Sequence, residues 1–189
     1  LLASNIKTIG GITMTVETLF GPEEAPAHKP RSIKLKTIKA VYQSLTVSDT
    51  ITDYLKPHTR YTSASQVFDT FNFLRHETKE HFIALHLDGK NRIVCLDRVS
   101  VGSLNQSIVH VREVMKSALL SSASAILLIH NHPTGDPMPS SEDMAITRRL
   151  KEAGELIGIP VLDHIIIGDG QFISFVERGF LRNSSRDKW

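Results

Sequence analysis

From Ser63 onward the apolar positions of the chain alternate between helical and extended periods. Val67, Phe68, Phe71 and Leu74 recur at i, i+1, i+4 and i+7, the stripe of an amphipathic helix that Ser65 is placed to cap. Phe82 to Leu87 reads as a strand, Asp88-Gly89-Lys90-Asn91 as a turn, and Arg92 to Val101 as a returning strand, which together make a hairpin. Val111 to Ser121 reads as a helix burying Val111, Val114, Met115, Ala118 and Leu119. Ala125 to Ile129 is a short, wholly apolar strand, followed by a loop containing Pro133, Gly135, Pro137 and Pro139. Ser140 to Ile157 reads as a helix with Met144, Ile146, Thr147, Leu150, Ala153 and Ile157 inward, ended by Gly158-Ile159-Pro160. Val161 to Ile167 and Gln171 to Phe175 form a last hairpin around Gly168-Asp169-Gly170. Interleaved strands and helices of this kind predict an α/β fold, a three-layer sandwich.

The N-terminal third is patterned differently. Leu1 to Thr13 is unusual for the start of a protein, and Met14 is a candidate initiator. Gly21 to Pro26 and Lys29-Pro30 read as linker. Ile33 to Leu45 mixes basic and apolar residues as a strand or short helix would, and Asp49 to Leu55 reads as a helix stopped by Pro57. Lys29, Arg31, Lys34, Lys36, Lys39, Lys56 and Arg60 crowd this region. Such a stretch is either a solvated arm or a phosphate-contacting one.

Composition narrows the picture. A chain of 189 residues can bury about 70% of its unfolded surface as one domain, so folding requires neither a disulfide nor a structural metal. The single cysteine, Cys95, excludes an intramolecular disulfide and fits a reducing compartment. The net charge of +2 is not that of a general nucleic-acid binder. No signal-peptide pattern is seen, and the apolar run Ala125 to Ile129 is far short of the ~20 residues of a membrane span. A cytoplasmic protein without membrane attachment is expected.

The candidate chemistry lies in His130-Asn131-His132-Pro133-Thr134-Gly135-Asp136-Pro137-Met138-Pro139-Ser140-Ser141-Glu142-Asp143. Residues i and i+2 of a strand share a face, so the imidazoles of His130 and His132 can reach one point beyond the strand end. The proline-stiffened loop delivers Asp143 to the first turn of the next helix, where the helix dipole favours a carboxylate. Two neutral imidazoles and one carboxylate suit zinc and leave its fourth position for water. Ser140 opens Ser140-Ser141-Glu142-Asp143, a capping-box pattern, and its hydroxyl could serve as helix cap or as oxyanion donor. Asp136 reads as an Asx-turn residue. The missing group is a general base, for which Glu77 and Glu80 are both placed. His164 reads as a buried, hydrogen-bonded histidine, with support of a ligand as its second role. His81, His86 and His110 read as structural, and Arg148-Arg149 as a solvated helix face.

Glu80-His81-Phe82, Leu87-Asp88, Asn91-Arg92, Gly102-Ser103-Leu104-Asn105, Ile129 to Pro137, Asp143, Thr147 to Leu150 and Leu162-Asp163-His164 together resemble the RadC family of the JAMM (MPN-plus) metalloprotease-like superfamily. The resemblance covers about residues 63–183, leaving an N-terminal extension at 1–62 and a tail at 184–189. It implies the JAMM fold, a cytidine-deaminase-like sandwich around a mixed, curved sheet flanked by helices. It implies zinc held by His130, His132 and Asp143, Glu80 as general base on the metal-bound water, and Ser140 as oxyanion donor. Two features depart from the family pattern. The usual helix-hairpin-helix region is not visible, and the common His-Pro-Arg-Glu is here His110-Val111-Arg112-Glu113.

Three functions follow as expectations. The first is a zinc hydrolase cutting a peptide or isopeptide amide in a peptide or protein substrate. The second is a DNA-processing or DNA-repair-associated protein that uses the same metal site and contacts nucleic acid through the basic segment. The third is a non-catalytic partner-binding MPN module. Exposed sheet edges would allow a homo-oligomer.

Overall fold

The computed structural model describes residues 7–9, 12–14, 41, 60–102 and 109–181. The chain divides into two units, Leu1–Lys39 and Ala40–Trp189. In the first, strands β1 (Lys7–Ile9) and β2 (Ile12–Met14) pair antiparallel with Ile9 opposite Ile12. The expected linker, the helix at Asp49 to Leu55, Lys29 to Lys39, Lys56 and the tail 184–189 lie outside the described residues, as does Ile33 to Leu45 except Val41.

The second unit begins with helix α1 (Ala64–Phe71) and a 3-10 turn, Asn72–His76. Ser63 caps α1, not Ser65: its hydroxyl accepts from the Gln66 amide at 3.2 Å. Ser63 has the extended backbone a cap needs, whereas Ser65 already lies in the helix. Strands β3 (Glu80–Leu87) and β4 (Ile93–Gly102) form the expected hairpin. Asp88 Oδ1 ties its turn by accepting from the Lys90 and Arg92 amides. Helix α2 (Val111–Leu120), strand β5 (Ala125–Asn131), helix α3 (Ser141–Ile157), strand β6 (Val161–Ile167) and strand β7 (Phe172–Ser174) complete the unit.

The strands form one mixed sheet in the order β4-β3-β5-β6-β7, antiparallel except for the parallel pair β5–β6. Strand β5 is central and buried along its whole length, which is why it opens on the continuous apolar run Ala125–Ile129. One face packs Ile83, Leu85, Leu127 and Ile129 against Val67, Phe71 and Leu74 of α1 and its 3-10 turn. The other packs Ala84, Ile126 and Leu128 against Val114 and Ala118 of α2 and Leu150 of α3. The result is the expected three-layer α/β sandwich.

Three expected core positions face outward. Leu119 is 56% exposed, Met144 37% and Ile157 39%. The buried stripe of α3 is the narrower set Ile146, Thr147, Leu150 and Gly154. Gly154 lets the chain pack closely, since a Cβ there would stand 2.4 Å from the Ile159 carbonyl oxygen.

Asp163 joins β6 to the segment after β7. Its Oδ1 accepts from the backbone amides of His164 at 2.7 Å and Val176 at 3.0 Å, and its Oδ2 accepts from the Ser174 hydroxyl. Burial pushes its pKa up to about 6 from 3.8, against the opposing pull of those donors. A carboxyl whose folded pKa is raised stabilises most below its unfolded value, and that contribution disappears as pH rises through the folded one. Stability attributable to Asp163 should therefore fall by roughly 3 kcal/mol in all, about 2 kcal/mol of it between pH 4 and pH 6. Asp163→Asn keeps an acceptor for the two amides but cannot ionise. Melting temperature measured from pH 4 to 7 should fall less with rising pH in Asp163→Asn than in the wild type. Identical profiles would show that Asp163 does not titrate in this range.

Candidate metal centre

Strand β5 runs two residues beyond the apolar stretch, so His130 is still paired within the sheet, opposite Phe82 of β3. His132 follows immediately, held by its amide donating to the Ile167 carbonyl at 2.9 Å. The two-residue alternation then brings both rings to one place, with Nε2 of His130 2.9 Å from Nε2 of His132.

The connecting loop is fixed at several points. Gly135 adopts a φ of +83°, a left-handed conformation that favours glycine. Its carbonyl accepts from the Asp169 amide at 2.9 Å, and a Cβ on Gly168 would lie 2.4 Å from that same oxygen. Loop and β6–β7 turn therefore meet backbone to backbone. Asp136 makes the expected Asx turn, its Oδ1 accepting from the Met138 amide at 3.0 Å. Its backbone carbonyl has a second use, accepting from His132 Nδ1 at 2.7 Å. A carbonyl can only accept, so His132 Nδ1 carries a proton and Nε2 faces inward.

Ser140 caps α3, and Asp143 occupies its third helical position. The Asp143 amide donates to Ser140 Oγ at 3.1 Å, while Asp143 Oδ2 accepts from the Ser140 amide at 2.8 Å and its hydroxyl at 2.7 Å. This is the capping box the spacing predicts, with aspartate in the reciprocal role. The box also aims the carboxylate at the histidines. Asp143 Oδ1 lies 3.3 Å from His130 Nε2, and Oδ2 lies 3.4 Å from His132 Nε2.

The electrostatics follow from this placement. Complete burial pushes His130 down to about 4, so its ring is neutral at physiological pH. Burial also pulls His132 down, but hydrogen bonding to Asp143 and to the Asp136 carbonyl raises it above the ordinary value. Burial alone would raise Asp143; its contacts with His132, His130 and Ser140 instead hold it well below the usual carboxylate range. Burial raises Glu80 above its ordinary value, with His132 opposing and Asp143 adding to the shift.

His130, His132 and Asp143 fit a metal ion. An ion about 2.0–2.1 Å from each of three tetrahedral donors sets them roughly 3.3 Å apart. The two Nε2 atoms are 2.9 Å apart, Asp143 Oδ1 is 3.3 Å from that of His130 and Oδ2 is 3.4 Å from that of His132, and one donor atom from each residue lies within 4.8 Å of the other two. The trio could therefore hold an ion once the carboxylate turns one oxygen toward both rings. Beside it is a pocket of about 270 Å³ lined by Glu80, Phe82, Val109, His130, Asp143 and Arg149. Glu77 lies 3.6 Å from His81 Nε2 and is not part of that lining. The two carboxylates that spacing alone left equivalent are thus separated by the strand start: Glu80 is the first residue of β3, and Glu77 precedes it.

His164 is the buried, hydrogen-bonded histidine expected, and it stands where it could support His130. It is fully buried, and its Nε2 lies 2.8 Å from His130 Nδ1. Thr147, expected only as a core residue, lies 2.6 Å from His164 Nδ1. The available signal was its place four residues after Asp143, on the same helix face. His86 is buried beside the Ser121 hydroxyl at 2.8 Å, away from the pocket, and His110 stands at the start of α2 without a side-chain capping bond. Arg148 and Arg149 are exposed, as a solvated helix face requires.

Residues 61–180 match the family model for the RadC-like JAB domain. The chain belongs to the RadC family. This places it in the JAMM/MPN-like superfamily, in agreement with the mixed five-stranded sheet and its flanking helices. Relatives called UPF0758 protein are similar to the chain. One from Pelobacter propionicus is 66% identical over 123 residues, covering 65% of this chain and 54% of its own. One from Geotalea uraniireducens is 63% identical over 123 residues with the same coverage. One from Methanosarcina mazei is 45% identical over 150 residues, covering 79% of this chain and 65% of its own. The RadC chain here thus spans about half the length of the first two. Among its described residues no helix is long and apolar enough to cross a membrane.

Proposed function

We propose that the protein is a zinc-dependent hydrolase of peptide or isopeptide amide bonds. The observation that carries this reading is the convergence of His130, His132 and Asp143, one donor atom from each within 4.8 Å of the others, beside a pocket that His130, Asp143 and Glu80 line. Two imidazoles and a carboxylate are a donor set suited to zinc and short of the four protein ligands of a structural site. When bound, zinc supplies Lewis acidity and brings the pKa of water toward 7. Glu80 accepts a proton from the water that attacks the amide carbonyl and returns it to the departing nitrogen. A carboxyl raised by burial suits a group that must both take and give a proton. Ser140 donates to the developing oxyanion by rotating its hydroxyl away from Asp143 Oδ2, while its amide keeps the capping box closed. Phe82 and Val109 form an apolar wall that limits water around the scissile bond.

The test is metal content together with a panel of peptide and isopeptide substrates. One equivalent of zinc, with amide cleavage abolished by chelator and restored by zinc, is the expected result. A zinc-loaded protein that cleaves no member of the panel, or a protein that takes up no zinc, would overturn the reading.

A further inference from the structure

The Thr147 hydroxyl has one proton and two close neighbours. It donates to the Asp143 carbonyl at 2.6 Å and also lies 2.6 Å from His164 Nδ1. The carbonyl can only accept, so the threonine proton is committed to it. Toward His164 the hydroxyl must therefore act as acceptor, which places the His164 proton on Nδ1. His164 Nε2 then carries a lone pair, and its neighbour at 2.8 Å is His130 Nδ1. That contact is a hydrogen bond only if His130 Nδ1 carries the proton. His130 Nε2 is then bare, facing Asp143 and His132 Nε2. At 2.9 Å from His132 Nε2 it can accept that ring's proton or share a cation with it.

We propose that Thr147 and His164 are positioning residues that lock His130 in its Nδ1–H tautomer and so present its Nε2 to the metal. The chain of bonds runs from the backbone of one ligand, Asp143, to the ring of another, His130. A bound ion would close it into a ring. Its parts come from three elements: α3 supplies Asp143 and Thr147, β6 supplies His164, and β5 supplies His130. Thr147 is 3% exposed and His164 fully buried, so water cannot replace either partner. Phe175 stacks on the His164 ring at 4.7 Å and holds its plane.

The metal site itself belongs to the proposed function; the tautomer is a property of the metal-free protein and can be tested separately. Long-range ¹H–¹⁵N NMR of histidine-labelled, metal-free protein at pH 8 should show His130 protonated on Nδ1 and bare at Nε2. A wild-type His130 protonated on Nε2 would overturn the proposal without any variant. Thr147→Val removes the acceptor for His164 Nδ1–H while keeping size and shape. In it the two rings should reverse, His164 donating to His130 and the His130 proton moving to Nε2, toward Asp143. Zinc affinity, measured by chelator competition, should then weaken by about 10–100-fold, and Thr147→Ser should restore it to within about threefold. A folded Thr147→Val with an unchanged His130 tautomer and unchanged zinc affinity would also overturn the proposal. If the wild type bound no zinc, the metal reading would fail, and the NMR result would still decide the tautomer.

Discussion

Glu80→Gln should leave zinc binding at one equivalent and lower kcat on any amide substrate by about 10²–10⁴, the usual range for loss of a positioned proton carrier. Glutamine keeps the length and the hydrogen-bonding capacity of the side chain but cannot carry a proton from water to the leaving nitrogen. The metal should stay because the three donors proposed for it are His130, His132 and Asp143, and Glu80 is not among them. KM should change little, since the loss falls on the transition state. Glu77→Gln is the matched control. Glu77 lies beside His81 outside the pocket lining, so its loss should leave kcat near that of the wild type. The decisive measurement is kcat alongside zinc content for both variants. Undiminished turnover in Glu80→Gln would move the proton-transfer role to another group, and a comparable loss in Glu77→Gln would reverse the assignment.

The cluster of His130, His132 and Asp143 was legible in the sequence because its geometry is local. The i, i+2 spacing of His130 and His132 fixes their common face, and the serine-x-x-acid pattern fixes Asp143 at the third position of a capped helix. Both are short-range properties, and both appear in the structure. The choice between Glu77 and Glu80 is not local. It depends on where β3 begins against β5, a pairing across about fifty residues that the hydrophobic pattern does not specify. Family resemblance favoured Glu80, and the strand start puts Glu80, not Glu77, in the pocket lining. His164 shows the same limit. Strands β5 and β6 run parallel with Leu128 opposite His164, so His164 and His130 are diagonal neighbours on one face. No spacing rule reveals that register. The three misplaced core residues, Leu119, Met144 and Ile157, have a different cause. Each lies at the border of a helical stripe, where the width of the contact decides burial and periodicity alone does not.

Asp143→Ala should abolish stabilisation by zinc and also weaken the metal-free protein, because this carboxylate serves the metal site and the helix cap together. At a free zinc concentration of 100 times Kd, the wild type should gain about 2.7 kcal/mol. For a domain of this size that is a rise in Tm of roughly 5–15 °C. Without Asp143 only two imidazole donors remain, and the rise should disappear. The metal-free variant should separately lose about 1 kcal/mol, since the Ser140 amide and hydroxyl lose the acceptor that closes the capping box. Asp143→Asn separates the two effects. Its amide oxygen can still accept from the Ser140 backbone, so the metal-free Tm should largely recover. A neutral amide is a poor zinc ligand, so the rise with zinc should remain small. The measurement is Tm with chelator and with zinc for the wild type and both variants. A zinc-induced rise in Asp143→Ala equal to that of the wild type would remove Asp143 from the ligand set and leave the two histidines in search of a different third donor.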